Sequence, residues 1–189
     1  MGGVLCYNIM RKEVIMKKIC LGLALISVAL FMTGCSETTS TNQDGKKTKE
    51  FAINEVATVN NTKITINSVK KILKECSFEW DGECSSYNEP DNDFFLVIDA
   101  TIENMGSEEL SVSSILSFDL KDANGENGGS AMLLDSVSST LDGSIMSGDK
   151  LKGQIAFDVK DSEKYYFYYQ DSLLDDNIKF VINKSDIIE

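Results

Sequence analysis

The chain has 189 residues, with 18 Lys and Arg against 30 Asp and Glu, no His, 5 Cys and a single Pro, which fits one globular domain plus a targeting segment. A formal charge of −12, with Arg11 as the only Arg, leaves no basic surface for a phosphate backbone and excludes nucleic-acid binding. Without His, imidazole-dependent catalytic triads and His-ligated zinc are excluded as well.

At the N-terminus, Met16, Lys17 and Lys18 form a positive n-region, and Ile19 to Met32 is an uncharged apolar stretch of 14 residues ending in Met32-Thr33-Gly34-Cys35. A bilayer-spanning helix needs about 20 apolar residues, so this is the anatomy of a secretory signal peptide. Extended to Ser36 the uncharged run reaches 18 residues, which leaves an uncleaved membrane anchor as the alternative. A Cys placed directly after small residues at the end of the apolar stretch resembles the lipobox of bacterial lipoprotein signals, with Met32 where that family more often has Leu. The resemblance implies cleavage between Gly34 and Cys35 and a diacylglyceryl lipid, carrying palmitate-type chains, on the Cys35 thiol. Two acyl chains hold a protein on a membrane stably where one does so only marginally. Met1 to Ile15 adds nothing that such a signal needs, so Met16 is the alternative start, and Cys6 stands where N-myristoylation at Gly2 requires Ser or Thr.

Residues 36–50, SETTSTNQDGKKTKE, contain no large apolar side chain and are expected to be a disordered tether. The predicted organisation is therefore a signal peptide over 1–34, a lipidated Cys35 and flexible tether over 35–50, and a folded domain over 51–189. Residues 1–34 carry 4 of the bases and 1 of the acids, leaving 14 Lys against 29 acids and a net charge of −15 for residues 35–189. An anionic membrane repels that charge, so the lipid has to supply attachment, with the domain on the extracytoplasmic face of the cell membrane.

From Phe51 onward, short alternating runs separated by turn residues predict an all-β domain, a sandwich of about seven strands. Ile64, Ile66 and Val69 follow the Asn60-Asn61 turn, and Phe94, Leu96, Ile98, Ala100 and Ile102 alternate with Phe95, Val97, Asp99, Thr101 and Glu103. Leu116, Phe118 and Leu120 form the next run, before a turn at Asp122-Ala123-Asn124-Gly125. Leu151, Gly153, Ile155, Phe157 and Val159 make another period-2 face, and Tyr165 to Tyr169 followed by Ile178, Phe180 and Ile182 closes the chain. Residues 131–146 follow neither period and fit a loop or a single helical turn.

The run Phe94 to Gly106 with Glu109-Leu110-Ser111-Val112, the block Leu141-Asp142-Gly143, Gly148 and Gly153 to Val159, and Tyr168-Tyr169-Gln170 resemble a bacterial lipoprotein domain of unknown function. That family has a telokin-like immunoglobulin fold, which secreted immunogenic antigens share. The resemblance implies an immunoglobulin-like β-sandwich on the cell surface and carries no active site. Ser147-Gly148, where the family usually has Pro-Gly, and the insertion from Cys76 to Asp93 depart from its pattern.

Cys6 and Cys20 leave with the signal and Cys35 is lipidated, so Cys76 and Cys84 are an even pair in an exported domain and are expected to form a disulfide, with two free thiols as the alternative. Closing nine residues contributes about 2.5 kcal/mol on the chain-entropy model. The spacing excludes Cys-x-x-Cys redox chemistry, and two Cys cannot make a four-Cys zinc site. Phe78 and Trp80 lie in that loop between Glu79, Asp81 and Glu83. They are either contact residues for a partner or, for Trp80, a ring folded back over an open end of the sandwich.

The acids of the same insertion, Glu75, Glu79, Asp81, Glu83, Glu89, Asp91 and Asp93, read as a solvated loop in preference to a Ca²⁺ site. Asp122, Asn124 and Glu126 start like an EF-hand loop, but Asn127 and Leu133 occupy the positions that need Gly and Glu. Ser68-Val69-Lys70-Lys71 and Ser147-Gly148-Asp149-Lys150 match Ser-x-x-Lys without the companion motifs of penicillin-binding enzymes. No acid falls on a predicted apolar face, where burial could raise its pKa for glycoside hydrolysis. The expectation is a non-enzymatic contact module with no catalytic residues, no metal and no cofactor beyond the diacylglycerol on Cys35. Its partners are then the membrane, through that anchor, and an envelope or extracellular protein. A passive surface lipoprotein and an accessory cell-wall enzyme are the alternatives.

Overall fold

The computed structural model describes residues 39–41, 47–132, 134–170 and 178–189, with side chains from Lys49 onward. The signal peptide, Gly34 and the expected lipid-bearing Cys35 lie outside the described residues.

Strands β1 (Thr39–Thr41), β2 (Lys47–Phe51), β3 (Val56–Val59) and β4 (Thr62–Ile72) precede a hairpin of β5 (Glu75–Trp80) and β6 (Glu83–Asn88). The chain continues through β7 (Phe94–Asn104), β8 (Leu110–Val112), β9 (Phe118–Asp122), β10 (Gly129–Ser130) and β11 (Gly143–Ile145). It ends with β12 (Lys150–Val159), β13 (Lys164–Tyr169), β14 (Ile178–Asn183), a 3₁₀ turn (Lys184–Asp186) and β15 (Ile187–Ile188). One sheet has the order β1-β2-β14-β13-β9 and the other β10-β12-β7-β4-β15, with β3 also paired to β4. Of the about seven strands expected, the six runs named from alternation are β4, β7, β9, β12, β13 and β14. The additional segments are mostly shorter, and two or three residues give alternation too little length to register.

The two sheets bury one core between them. Ile64, Ile66, Leu96, Ile98 and Ile102 from one face meet Leu120, Phe167, Phe180 and Ile182 from the other, all fully buried. Ring contacts cross the interface, Phe157 to Phe167 at 6.2 Å and Phe94 to Tyr165 at 6.4 Å, both edge-on. Such aromatic pairs each add about 0.5–1.5 kcal/mol beyond the area they bury.

Local irregularities in the sequence have structural causes. The inward positions of β4 run Ile64, Ile66, Val69 because a bulge follows Ile66: Ile66 pairs with Ala100, and Ser68 with Asp99. The extra residue, Asn67, donates its amide to Asp99 (2.5 Å) and Thr101 (3.0 Å), so the pleat changes phase without leaving that side chain unpaired.

Phe95 and Val97 sit on the opposite face of β7 from the main core, yet both are buried. They form a second, smaller core with Leu134 and Ala156, against which Ile72, Ala131 and Val137 pack. The cover is supplied by Ala131, Leu134 and Val137, from chain that runs along the edge of β12. Ala131 donates to Ala156 (2.9 Å), Gln154 donates to Ser139 (2.6 Å), and Leu141 then enters the main core. Gly153 is required at the crossing, because a Cβ there would lie 2.6 Å from the Thr140 carbonyl oxygen.

Two buried side chains with polar groups, Asn104 and Tyr165, act as rivets. The Asn104 side chain is buried, donates to the carbonyls of Glu108 (2.7 Å) and Ile145 (2.8 Å), and accepts from Gly106 N–H (2.9 Å). Tyr165, at the start of β13, donates its hydroxyl back to the Lys160 carbonyl (2.6 Å) and accepts from Ser162 N–H (3.0 Å). This arrangement corresponds to the tyrosine corner of immunoglobulin-like sandwiches.

Two expectations need correction. The 36–50 stretch contributes β1 and most of β2, where a disordered tether was expected. Strand pairing uses backbone groups that every residue has, and Phe51 fastens the end of β2 to Phe180 at 5.7 Å between ring centroids. The Glu50 carboxylate also pairs with Lys179 at 2.8 Å. Leu116, expected in a strand with Phe118, is exposed and precedes β9.

Candidate functional site

The insertion from Cys76 to Asp93 is a ribbon apart from both sheets. Its turn, Asp81-Gly82, has φ of 54° and 80°, the paired left-handed conformation of a type I′ hairpin, for which Asp-Gly is a favoured dipeptide. That dipeptide between two β-rich runs was the signal that could have found the hairpin. Trp80 pairs with Glu83 and Glu75 with Asn88, with register shifts on both sides of Phe78. Cys76 and Cys84 form the expected disulfide, with Cα atoms 5.7 Å apart.

Both ends of the ribbon are tied down. At its base the Glu75 carboxylate accepts the backbone N–H groups of Asp135 (2.7 Å) and Ser136 (2.5 Å), and Lys74 lies 4.2 Å over the Tyr87 ring. After Pro90, Asp158 accepts from the N–H groups of Asp91 (2.7 Å) and Asn92 (3.0 Å), and Asp93 accepts from Asp161 N–H (2.7 Å). Two of the acids, Glu75 and Asp93, therefore hold the loop in place through their carboxylates.

The tip stays outside the fold. Trp80 is 70% exposed and Phe78 57%, which overturns the reading in which Trp80 folds back over a sandwich end. Among the described residues the ribbon has no second layer to supply a face against which these rings could bury.

Asp122 is a turn anchor: its carboxylate accepts the N–H groups of Asn124 and Glu126, both at 2.8 Å. Among the described residues no group of three or more Cys, Asp or Glu is placed to hold a metal ion. Ser68 lies within β4 and Ser147 in the loop before β12, so neither Ser-x-x-Lys match opens a helix. Among the described residues no helix is long and apolar enough to cross a membrane.

One feature escaped the sequence. A groove of about 540 Å³ runs from Tyr87 of the hairpin over Phe95 and Leu134 to Met132, and a second cavity of about 210 Å³ lies between Met132, Ile115, Asp142 and Gln154. The two meet at Ser130, Ala131 and Met132. Burial pushes against ionisation of Asp142, but the N–H and hydroxyl of Ser114 and the Thr140 hydroxyl outweigh it and hold the carboxyl below its ordinary value. These residues come from segments far apart in the chain, and nothing in their local pattern marks them.

Several comparisons bear on the whole fold. The domain of unknown function DUF4352 matches residues 51–180. The uncharacterized lipoprotein YjhA of Bacillus subtilis is 24% identical over 195 residues, covering 86% of this chain and 91% of YjhA. The crystal structure of the yjhA protein from Bacillus subtilis superposes with a TM-score of 0.51 at 20% identity, covering 70% of this chain and 97% of that one. That of ycdA, also from Bacillus subtilis, gives 0.55 at 17% identity, over 69% of this chain and 39% of that one. These structures show the shared fold, and the family match spans the sandwich from Phe51 to Phe180. The chain belongs to the DUF4352 family, a lipoprotein domain of unknown function, here built as an immunoglobulin-like β-sandwich.

Proposed function

We propose that the protein is a lipid-anchored contact module of the cell envelope, held to the membrane through Cys35 on the extracytoplasmic face, with the hairpin tip as the surface that meets an envelope or extracellular protein. The observation that carries this reading is the exposure of Trp80, at 70%, on a ribbon closed by the Cys76–Cys84 disulfide. Exposed aromatic side chains on a pre-organised element are characteristic of binding hot spots, because little conformational freedom is left to lose on association. The anchor is supported by the signal anatomy ending at Cys35 and by the lipoprotein relative. No catalytic step is assigned to any residue.

The test is photo-crosslinking on intact cells with a probe residue at position 80, beside a control probe at position 121 on the outer face of β9. One protein captured from position 80 alone supports the reading. Identical captures from both positions overturn it. For the anchor, Cys35→Ala is expected to abolish incorporation of a clickable palmitate analogue, and continued labelling of that variant rules out Cys35 as the lipid site.

A further inference from the structure

We propose that the cleft on either side of Met132 is a second binding surface, one that docks an extended, lysine-bearing segment of a partner protein. Its walls are apolar side chains left open to solvent: Met132 is 63% exposed, Ile115 60% and Tyr87 45%. Contiguous exposed apolar surface of this kind marks interaction sites on soluble domains. Its floor is the small outer core of Phe95, Leu134 and Ala156, so the cleft rests on packed structure and is pre-formed.

Charge identifies the occupant. The two cavities are lined by Glu89 and Asp142 and, among the described residues, by no Lys; Lys74, 4.2 Å over the Tyr87 ring, stands outside both linings. Gln154 lines the smaller cavity and its buried Oε1 has no hydrogen-bond partner among the described residues, an acceptor that a turn of the side chain would offer to an N–H donor in the cleft. An ammonium group with an aliphatic stem fits both the acid rim and the apolar walls. Two lobes flanking one side chain suit an extended segment, whose successive side chains project to opposite sides. Opposite charge also steers such a segment to a domain as acidic as this one.

This inference does not rest on the hairpin tip, and the experiment separates the two surfaces. The full chain, in detergent and labelled with ¹³C at the methionine methyls, is titrated with the peptide Lys-Leu-Lys-Val-Lys-Leu-Lys, with its Glu-for-Lys counterpart as control. Trp80, the only Trp, reports on the tip through its emission. The expected result is a saturable shift of the Met132 methyl with the lysine peptide alone, weakened by salt. Met105 and Met146, exposed elsewhere, should not move. Met132→Lys changes an exposed side chain; it removes apolar wall and places like charge against the peptide, so calorimetry, which does not need the lost methyl, should show binding weakened about tenfold or more, and an unchanged affinity overturns the proposal. No Met132 shift, or an equal shift with the glutamate peptide, overturns the proposal. A change in Trp80 emission without a Met132 shift places the peptide on the hairpin tip and likewise overturns it.

Discussion

The hairpin β5–β6 and the strand β7 are neighbours in the chain, and both carry aromatic side chains, but their rings meet opposite fates. Phe94 and Phe95 are buried on the two faces of β7, one in the main core and one under the 131–146 segment. Phe78 and Trp80 are exposed on a ribbon that no second layer among the described residues covers. Ring burial here is a property of the surrounding layers and not of the residue type. Where layers are missing, a disulfide and an Asp-Gly turn hold the shape instead.

The comparison predicts a graded response to substitution. Phe167→Ala empties a fully buried position between the sheets and is expected to cost about 3–5 kcal/mol in urea unfolding; a cost near that of a surface change would show that the core is not the source of stability. Asn104→Ala leaves the carbonyls of Glu108 and Ile145 and the N–H of Gly106 without their partner. Its expected cost is about 3 kcal/mol, against less than half of that at an exposed Asn.

Removing the disulfide with Cys76→Ser and Cys84→Ser together is expected to release about 2.5 kcal/mol of restraint, within the hairpin alone. Amide exchange should quicken across Glu75–Asn88 and stay unchanged in β7 and β13. A cooperative loss of protection in both regions would mean that the ribbon is part of the core.

Tyr165→Phe is expected to cost about 1 kcal/mol at neutral pH. Burial, the largest cause, pushes the Tyr165 hydroxyl from an ordinary 10.0 up to about 12. A raised folded-state value makes its contribution complete below pH 10 and lost as the pH climbs toward 12. The wild-type chain should therefore lose stability faster across that window than Tyr165→Phe, a difference that unfolding curves at several alkaline pH values measure. Smallest of all, Trp80→Ala should change stability by no more than about 0.5 kcal/mol while abolishing capture by a probe placed at the neighbouring exposed position 79. A larger change would show that the ring packs within the fold.

Much of the sandwich was legible because inward side chains alternate. Even the bulge in β4 left its mark in the slip from Ile66 to Val69. The 131–146 segment was illegible because it follows neither the strand nor the helix period; what it does is wrap an edge, and only the position of β12 explains Gly153 and Leu141. The even pair left once Cys6, Cys20 and Cys35 are assigned to the signal and anchor favours a disulfide over two free thiols, and the structure has the bond. Trp80's exposure could not be read, since a lone large aromatic reads equally as core and as contact.

By itself the sequence determined the all-β class, the inward faces of the six main strands and the absence of imidazole chemistry, and it narrowed Cys76 and Cys84 to a disulfide or two free thiols. These follow from local periodicity and composition, which act over a few residues. Only the tertiary structure decided the second core around Phe95 and Val97, the recruitment of Lys47–Phe51 into a sheet, the exposure of the hairpin tip and the cleft beside Met132. Each of these depends on which surface of one segment another happens to cover, a long-range choice made by packing that no short stretch of residues encodes.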